Sequence, residues 1–350
     1  MIIVLKDNVK DAEILQVKEF IESRGAKIHE SKGVEKTILG VIGDKRDIND
    51  EALRALPAVE KVIRILEPYK LTSRKFHQHN TVVEVKNVKV GNGAPITIAG
   101  PCSVESEEQI FSVAEKVAAE GGHMLRGGIF KPRTSPYDFQ GIGMRGAQWI
   151  ADAGKKYNLP VVSEVMEIND LDLLWDYVDV FQVGARNMQN FKLLKAIGRT
   201  KKPVILKRGL SATFKEFLMS AEYILSEGNP NVILCERGIR TFSDFSRNTL
   251  DLNIVPMVKN VSHLPILIDP SHATGRTDLI IPVTLGGLMA GADGFMVEVH
   301  PKPYEAFSDG DQSLNYDQFH QLMKKVDKVV DLVVQLKNDY TEEILNNVAY

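Results

Sequence analysis

The chain has 350 residues, 44% of them apolar and 25% charged, the make-up of an ordinary soluble globular protein with room for about two domains. Forty-three Lys and Arg against 46 Asp and Glu leave a net charge of −3, without the basic excess of a dedicated nucleic-acid binder; a local basic pocket for a small anion stays open. Two cysteines, Cys102 and Cys235, exclude a disulfide framework and point to a reducing compartment.

The N-terminus reaches Lys6 and Asp7 too soon to hold a signal-peptide core, so the chain reads as cytoplasmic. Residues 2–5 are a β-branched run, and residues 11–23 place Ile14, Leu15, Val17, Phe20 and Ile21 at helical spacing until Gly25 stops the helix. Residues 27–30 and 37–42 read as strands, 49–56 as a helix and 59–66 as a strand. The order βαββαβ predicts a small α+β ferredoxin-like domain over residues 1–66, suited to sensing or pairing rather than chemistry. Residues 67–80 are polar, lack a period and read as a linker. Residues 81–90 alternate apolar and polar and meet Gly91-Asn92-Gly93, a hairpin-like lead-in to a second domain over 81–340.

From Ile96 onward, short apolar strands alternate with helix-sized segments. Strands are predicted at 96–99, 123–126, 160–163, 178–183, 204–207, 232–235, 265–268 and 294–298. Eight such units close a (β/α)8 TIM barrel; a doubly wound sheet is the alternative. The apolar stretch 279–297 is broken by Pro282, Gly286, Gly287 and Gly291-Ala292-Asp293-Gly294 into a buried helix and a buried strand, so no membrane association is expected.

Chemistry in such a barrel belongs at the C-terminal strand ends, and all eight predicted ends carry polar or ionisable groups. One subset is cationic: Arg126, Lys131, Arg133, Arg186, Lys207 and Arg237. Unpaired cations a few ångströms apart repel by roughly 4 kcal/mol at an effective dielectric near 20, so the cluster needs anions. A multiply charged phosphorylated substrate would supply them; internal pairing with Glu164 and Glu236 is the alternative. The other subset is Cys102, His272, Glu298 and Asp309, from the first, seventh and eighth strands, with Asp311 able to replace Asp309 on spacing alone. Thiolate, imidazole and carboxylate together suit one divalent Mn, Fe, Co or Zn ion. Cys235 reads as structural, and His300 as either a proton-transfer group or a satisfied polar core residue.

In order along the chain stand AGPCS (99–103), LRGG (125–128), KPRTSP (131–136), QVGARN (182–187), LKRG (206–209), LCERG (234–238), DPSH (269–272) and VEVHP (297–301). Together they closely resemble 3-deoxy-D-arabino-heptulosonate 7-phosphate (DAHP) synthase. The likeness is to the group related to 3-deoxy-D-manno-octulosonate 8-phosphate synthase and, within it, to members with an N-terminal ferredoxin-like regulatory domain.

The resemblance implies a metal-dependent condensation of phosphoenolpyruvate with erythrose 4-phosphate, releasing phosphate, as the first step of the shikimate pathway. It implies Cys102, His272, Glu298 and Asp309 as metal ligands. Arg186, Lys207 and Arg237 would hold the phosphate of phosphoenolpyruvate, with Arg126 and Lys131 at its carboxylate. Arg133, Thr134 and Ser135 would receive the phosphosugar. Glu164 is placed to act on the water that quenches the intermediate, and Lys131 to protonate the developing alkoxide. His29 and Ser31, two apart on one strand and so on one face, match the positions expected to contact tyrosine or phenylalanine as feedback inhibitor. Inhibition is expected to work by docking of the small domain over the barrel mouth, and a homotetramer is implied. The alternatives are the octulosonate synthase, disfavoured by Pro132-Arg133-Thr134-Ser135 where an Asn-Arg-Ser type sequence is expected, and a non-catalytic amino-acid sensor on an inactive barrel.

Overall fold

A computed structural model describes residues 1–7, 9–33, 36–43, 48–63, 69–131, 137 and 139–347, apart from the side chains of residues 32, 334 and 336–347. The chain divides into two compact units, residues 1–79 with 261–263, and residues 80–260 with 264–350.

In the first unit, strands β1 (Ile2–Leu5), β2 (Lys27–Lys32), β3 (Thr37–Ile42) and β4 (Val59–Ile63) form an antiparallel sheet in the order β2-β3-β1-β4. Helices Asp11–Glu22 and Asp50–Arg54 complete the ferredoxin-like βαββαβ plan. The first helix buries Val17 and Ile21 against Ile3, Leu39 and Val41 of the sheet. Gly25, at φ +76°, ends it in the left-handed conformation the sequence predicts. The second helix is shorter than its predicted span at both ends: Asn49 caps its start, its side chain accepting from the Glu51 N–H at 2.8 Å, and Ala55 follows its last residue, Arg54, as the C-cap. Residues 64–66 of the predicted last strand lie outside the described residues.

Residues 69–79, read from the sequence as linker, pack into this unit. Tyr69, Leu71 and Phe76 are buried, and the Phe76 ring lies so close over Gly40 of β3 that a Cβ there would meet it at 2.3 Å. The His263 ring bonds the Leu71 carbonyl at 2.6 Å. Three apolar anchors without a helical or strand period hid this packing in a polar segment.

The second unit begins with a hairpin, β5 (Val83–Val85) and β6 (Val88–Val90). It turns at Lys86, in a left-handed conformation at φ +51°, rather than at the Gly91–Gly93 stretch that follows it. Eight parallel strands then close a barrel: β7 (Ile96–Gly100), β8 (Met124–Arg126), β9 (Val161–Val165), β10 (Val180–Val183), β11 (Val204–Lys207), β12 (Val232–Glu236), β13 (Ile266–Ile268) and β14 (Gly294–Glu298). Closure is made by β14 against β7, in register from Gly294 opposite Ile96 to Glu298 opposite Gly100. A doubly wound sheet is thereby excluded.

Strands covered on both faces read as continuous apolar runs, which is why their positions were legible. Val83, Val85, Val88 and Val90 of the hairpin join Ile96, Met124, Val180 and Ile205, at or near the strand starts, in one buried core at the N-terminal end of the barrel strands. Cys235 belongs to that same core. The apolar stretch after β13 is a helix, Thr277–Met289, followed by β14. Among the described residues no helix is long and apolar enough to cross a membrane.

Candidate active site

Arg126, Lys207, Glu236 and Glu298 are the last residues of β8, β11, β12 and β14. Asp269 and His272 follow β13 directly, Asp269 capping the short helix Pro270–Thr274 by accepting from the His272 N–H at 3.0 Å. All sit at the same end of the barrel because all eight strands run one way.

A cavity of about 320 Å³ opens there. Its lining includes Lys131, Glu164, Arg186, Lys207, Arg237, His272 and Asp309, as the sequence reading anticipates, together with Arg240, Arg247 and Asn248, which it missed. Six cations face two carboxylates among these described residues. Internal pairing accounts for only part of the positive charge. Glu236 is taken by Arg208, which turns away from the cavity to bond Glu236 and Asp251, each at 2.9 Å. Arg237 keeps a buried NH1 with no hydrogen-bond partner.

Glu164 accepts from the Gln182 amide at 3.1 Å, and its other oxygen packs over Gly184, where an added Cβ would come within 2.1 Å and push the carboxylate aside. A smaller recess sharing Lys131 and Glu164 is lined by Arg126. Arg133, Thr134 and Ser135 lie outside the described residues.

On one side of the cavity the metal-type groups meet. Cys102, Glu298 and Asp309 each offer a ligand atom, all within 4.8 Å of one another. His272 Nε2 lies 3.4 Å from Glu298 Oε1, so it borders the cluster. Asp311 does not join them: it is exposed and lines a separate groove. Glu298 Oε1 is buried and makes no hydrogen bond; the Arg126 guanidinium at 3.2 Å is one counter-charge, and a cation held by the cluster would complete its coordination. With a thiol, an imidazole and two carboxylates, the donor set fits a borderline divalent ion.

Electrostatics agree. The Cys102 thiol is pushed up to about 12, first by burial and then by the Glu298 charge. It therefore donates to Asp309 Oδ2 at 3.1 Å, and a metal must displace its proton. Burial pushes the His272 imidazole down despite Asp269 and Glu298, leaving the neutral form that ligates metals. Burial would raise Asp269, but His272 and Lys207 hold it well below the usual carboxylate range. Its Oδ2 lies 2.8 Å from His272 Nδ1 and 2.5 Å from Lys207 Nζ, so one carboxylate joins a candidate metal ligand to a candidate anion-binding lysine. Lys131 Nζ bonds the Cys102 sulfur at 2.8 Å and the Cys102 carbonyl at 3.1 Å. Arg126 NH1 stands 3.2 Å from Glu298 Oε1.

His300 is not brought to the cavity. Its Nε2 faces Glu105 Oε2 at 3.3 Å and its Nδ1 accepts from the Lys302 N–H at 3.1 Å, the geometry of a satisfied polar core residue. In the first unit, His29 and Ser31 stand on β2 opposite Gly40 and Ile38 of β3. The His29 ring lies 5.2 Å from that of Phe76, and burial, with His77, lowers its pKa.

Two family models match the chain. One, described as the DAHP synthetase I family, covers residues 76–335; the other, described as the DAHP synthase ferredoxin-like domain, covers residues 1–67. A phospho-2-dehydro-3-deoxyheptonate aldolase of Thermotoga maritima is 49% identical over 331 residues, 95% of this chain and 98% of that protein. A 2-dehydro-3-deoxyphosphooctonate aldolase of Geobacter sp. (strain M21) is 29% identical over 273 residues, 72% of this chain and 98% of that protein. The crystal structure of a Thermotoga maritima phospho-2-dehydro-3-deoxyheptonate aldolase (DAHP synthase) matches at a TM-score of 0.76 and 48% identity, over 95% of this chain and 97% of that one. A truncated form of 3-deoxy-D-arabino-heptulosonate 7-phosphate synthase from the same organism matches at 0.72 and 46% identity, over 76% of this chain and 97% of that one.

Proposed function

The chain belongs to the DAHP synthetase I family, and from that premise we propose that it condenses phosphoenolpyruvate with erythrose 4-phosphate, releasing phosphate and depending on one divalent cation. The observation that carries this reading is a cavity with six cations against two carboxylates, bordered by the Cys102, Glu298, Asp309 and His272 cluster. Phosphoenolpyruvate carries about three negative charges and needs such a cradle.

Arg186, Lys207 and Arg237 take its phosphate, and Arg126 and Lys131 its carboxylate. Arg133, Thr134 and Ser135 receive the acceptor sugar phosphate. Cys102, His272, Glu298 and Asp309 would hold the cation, whose contribution is Lewis acidity toward the aldehyde oxygen. The methylene carbon of phosphoenolpyruvate bonds to the aldehyde carbon, spending the double-bond electron pair and leaving an oxocarbenium-like centre at the phosphate-bearing carbon. Lys131 gives a proton to the new alkoxide. Water adds to the oxocarbenium-like carbon while Glu164 holds it and accepts one proton; the added oxygen then forms the ketone double bond as the bond from that carbon to the phosphate oxygen breaks, the phosphate leaving with the bonding pair and the remaining hydroxyl proton.

The first unit serves regulation: tyrosine or phenylalanine binds at His29 and Ser31 and inhibits the barrel. A homotetramer in the cytoplasm completes the proposal. The family match to the ferredoxin-like domain supports reading the first unit as a module of its own, and β2, which carries both residues, is the edge strand of its sheet.

The test is acceptor choice. Purified protein supplied with phosphoenolpyruvate and either erythrose 4-phosphate or arabinose 5-phosphate should release phosphate with the four-carbon acceptor. Release with the five-carbon acceptor alone would move the chain to octulosonate synthesis, and release with neither would leave a non-catalytic sensor.

A further inference from the structure

We propose that Gln312 and Arg247 form a relay that positions Glu298 for the cation without touching the cation themselves. The inference rests on reading the Cys102, Glu298 and Asp309 cluster as a divalent-cation site.

Glu298 is completely buried at the end of β14. Its Oε2 accepts from Gln312 Nε2 at 2.6 Å, and Gln312 Oε1 accepts in turn from Arg247 NH1 at 2.8 Å. Glu298 Oε1 is the oxygen left without a hydrogen bond, 3.4 Å from His272 Nε2. An arginine can only donate and an ionised carboxylate can only accept. The side chain between them must accept on one side and donate on the other, which an amide does, and its two partners fix which way round it lies. A glutamate at 312 would satisfy Arg247 but repel Glu298; a lysine there would do the reverse.

The relay has a competitor to overcome. Arg126 NH1, also buried and without a hydrogen bond, stands 3.2 Å from Glu298 Oε1. Without Gln312 on the opposite side, the carboxylate is free to turn both oxygens toward Arg126 and away from the cluster. The backbone reinforces the hold: the Leu314 N–H bonds the Glu298 carbonyl at 2.8 Å, and Gln312 lies in a short turn, Gly310–Gln312, that begins directly after Asp309. Arg247 also reaches Asp309 Oδ1 at 3.6 Å, so the loop after β12 steadies two members of the cluster at once. Gln312 and Arg247 are therefore positioning residues, acting through Glu298 and Asp309.

The test uses full-length, metal-stripped protein titrated with Co²⁺, read by the thiolate-to-cobalt absorption band that Cys102 would give. Losing an outer partner of a ligand typically weakens metal binding about 10–100-fold, and that is the loss expected for Gln312→Leu. Arg247→Gln, at a half-exposed surface position that spares the fold, should weaken Co²⁺ binding less, because Gln312 still reaches Glu298. Gln312→Glu should not rescue Gln312→Leu, since it turns the donor facing Glu298 into an acceptor. For Gln312→Leu at saturating cation the KM for phosphoenolpyruvate should match the parent's, because Gln312 does not line the cavity.

Asp309→Asn is the reference. If it weakens Co²⁺ binding while Gln312→Leu and Arg247→Gln, folded as judged by their melting temperatures, bind like the parent, the relay is refuted and the cluster stands. If Asp309→Asn also binds like the parent, the cluster itself is not the cation site and the relay falls with it.

Discussion

Asp269→Asn removes one charge and almost no volume from a fully buried carboxylate. The loss leaves Lys207, only 3% exposed, without the counter-charge that stands 2.5 Å from its Nζ. Breaking a buried pair by neutralising one partner costs about 3–5 kcal/mol. At roughly 2–4 °C per kcal/mol for a domain approaching the barrel's size, a loss of about 3 kcal/mol lowers the melting temperature by about 6–12 °C. Inorganic phosphate, standing in for the substrate's phosphate, restores a counter-charge to Lys207. It should therefore raise the variant's melting temperature more than the parent's. His272 loses its orienting carboxylate as well, so cation affinity falls about 10–100-fold. Scanning calorimetry with and without phosphate reads the first two effects and metal titration the third. A variant that melts with the parent and gains no more than it from phosphate would refute the argument that Asp269 sustains Lys207.

Arg186→Ala removes a charged donor from the cavity and should raise the KM for phosphoenolpyruvate about 10-fold or more, as losing 1.5–3 kcal/mol of charged hydrogen bonding implies; an unchanged KM would make Arg186 structural. Removing residues 1–79 should leave turnover that aromatic amino acids no longer inhibit, and the cut belongs before Asn80 because Tyr69, Leu71 and Phe76 pack with the first unit. Retained inhibition would place the effector site in the barrel. Burial pushes His263 down to about 4 from its ordinary 6.5, so between these values the unfolded chain binds the proton that the folded chain refuses. Stability from this group is complete above pH 6.5 and drains as pH falls toward 4, by about 3 kcal/mol in all. Urea unfolding of parent and His263→Gln across that window should show the parent losing more; parallel curves would contradict it.

The barrel was legible because its strands, covered on both faces, stand out as apolar runs, and because parallel order sends every strand end to one mouth. That logic alone brought Arg126, Lys207, His272 and Glu298 to one end, where the structure holds them. It could not find Arg240, Arg247 or Gln312, which lie beyond the strands in loops without a period; their roles depend on how far each loop folds back. His300 was left open between proton transfer and a satisfied polar core residue, and the structure gives the second. The residue follows β14 closely enough to suggest chemistry, yet the chain turns its ring onto Glu105. The packed segment 69–79 was hidden because its buried residues are anchored singly, Phe76 over the bare backbone of Gly40, a fit that depends on an absent side chain.

The most direct measurement follows the loss of phosphoenolpyruvate absorbance on adding erythrose 4-phosphate to the purified protein, before and after EDTA treatment and again after Mn²⁺ is restored. Consumption that EDTA abolishes and Mn²⁺ recovers, with one phosphate released per phosphoenolpyruvate consumed, is the predicted result. Consumption at an undiminished rate in protein shown to be metal-free would contradict the central claim that Cys102, His272, Glu298 and Asp309 hold a cation the reaction needs.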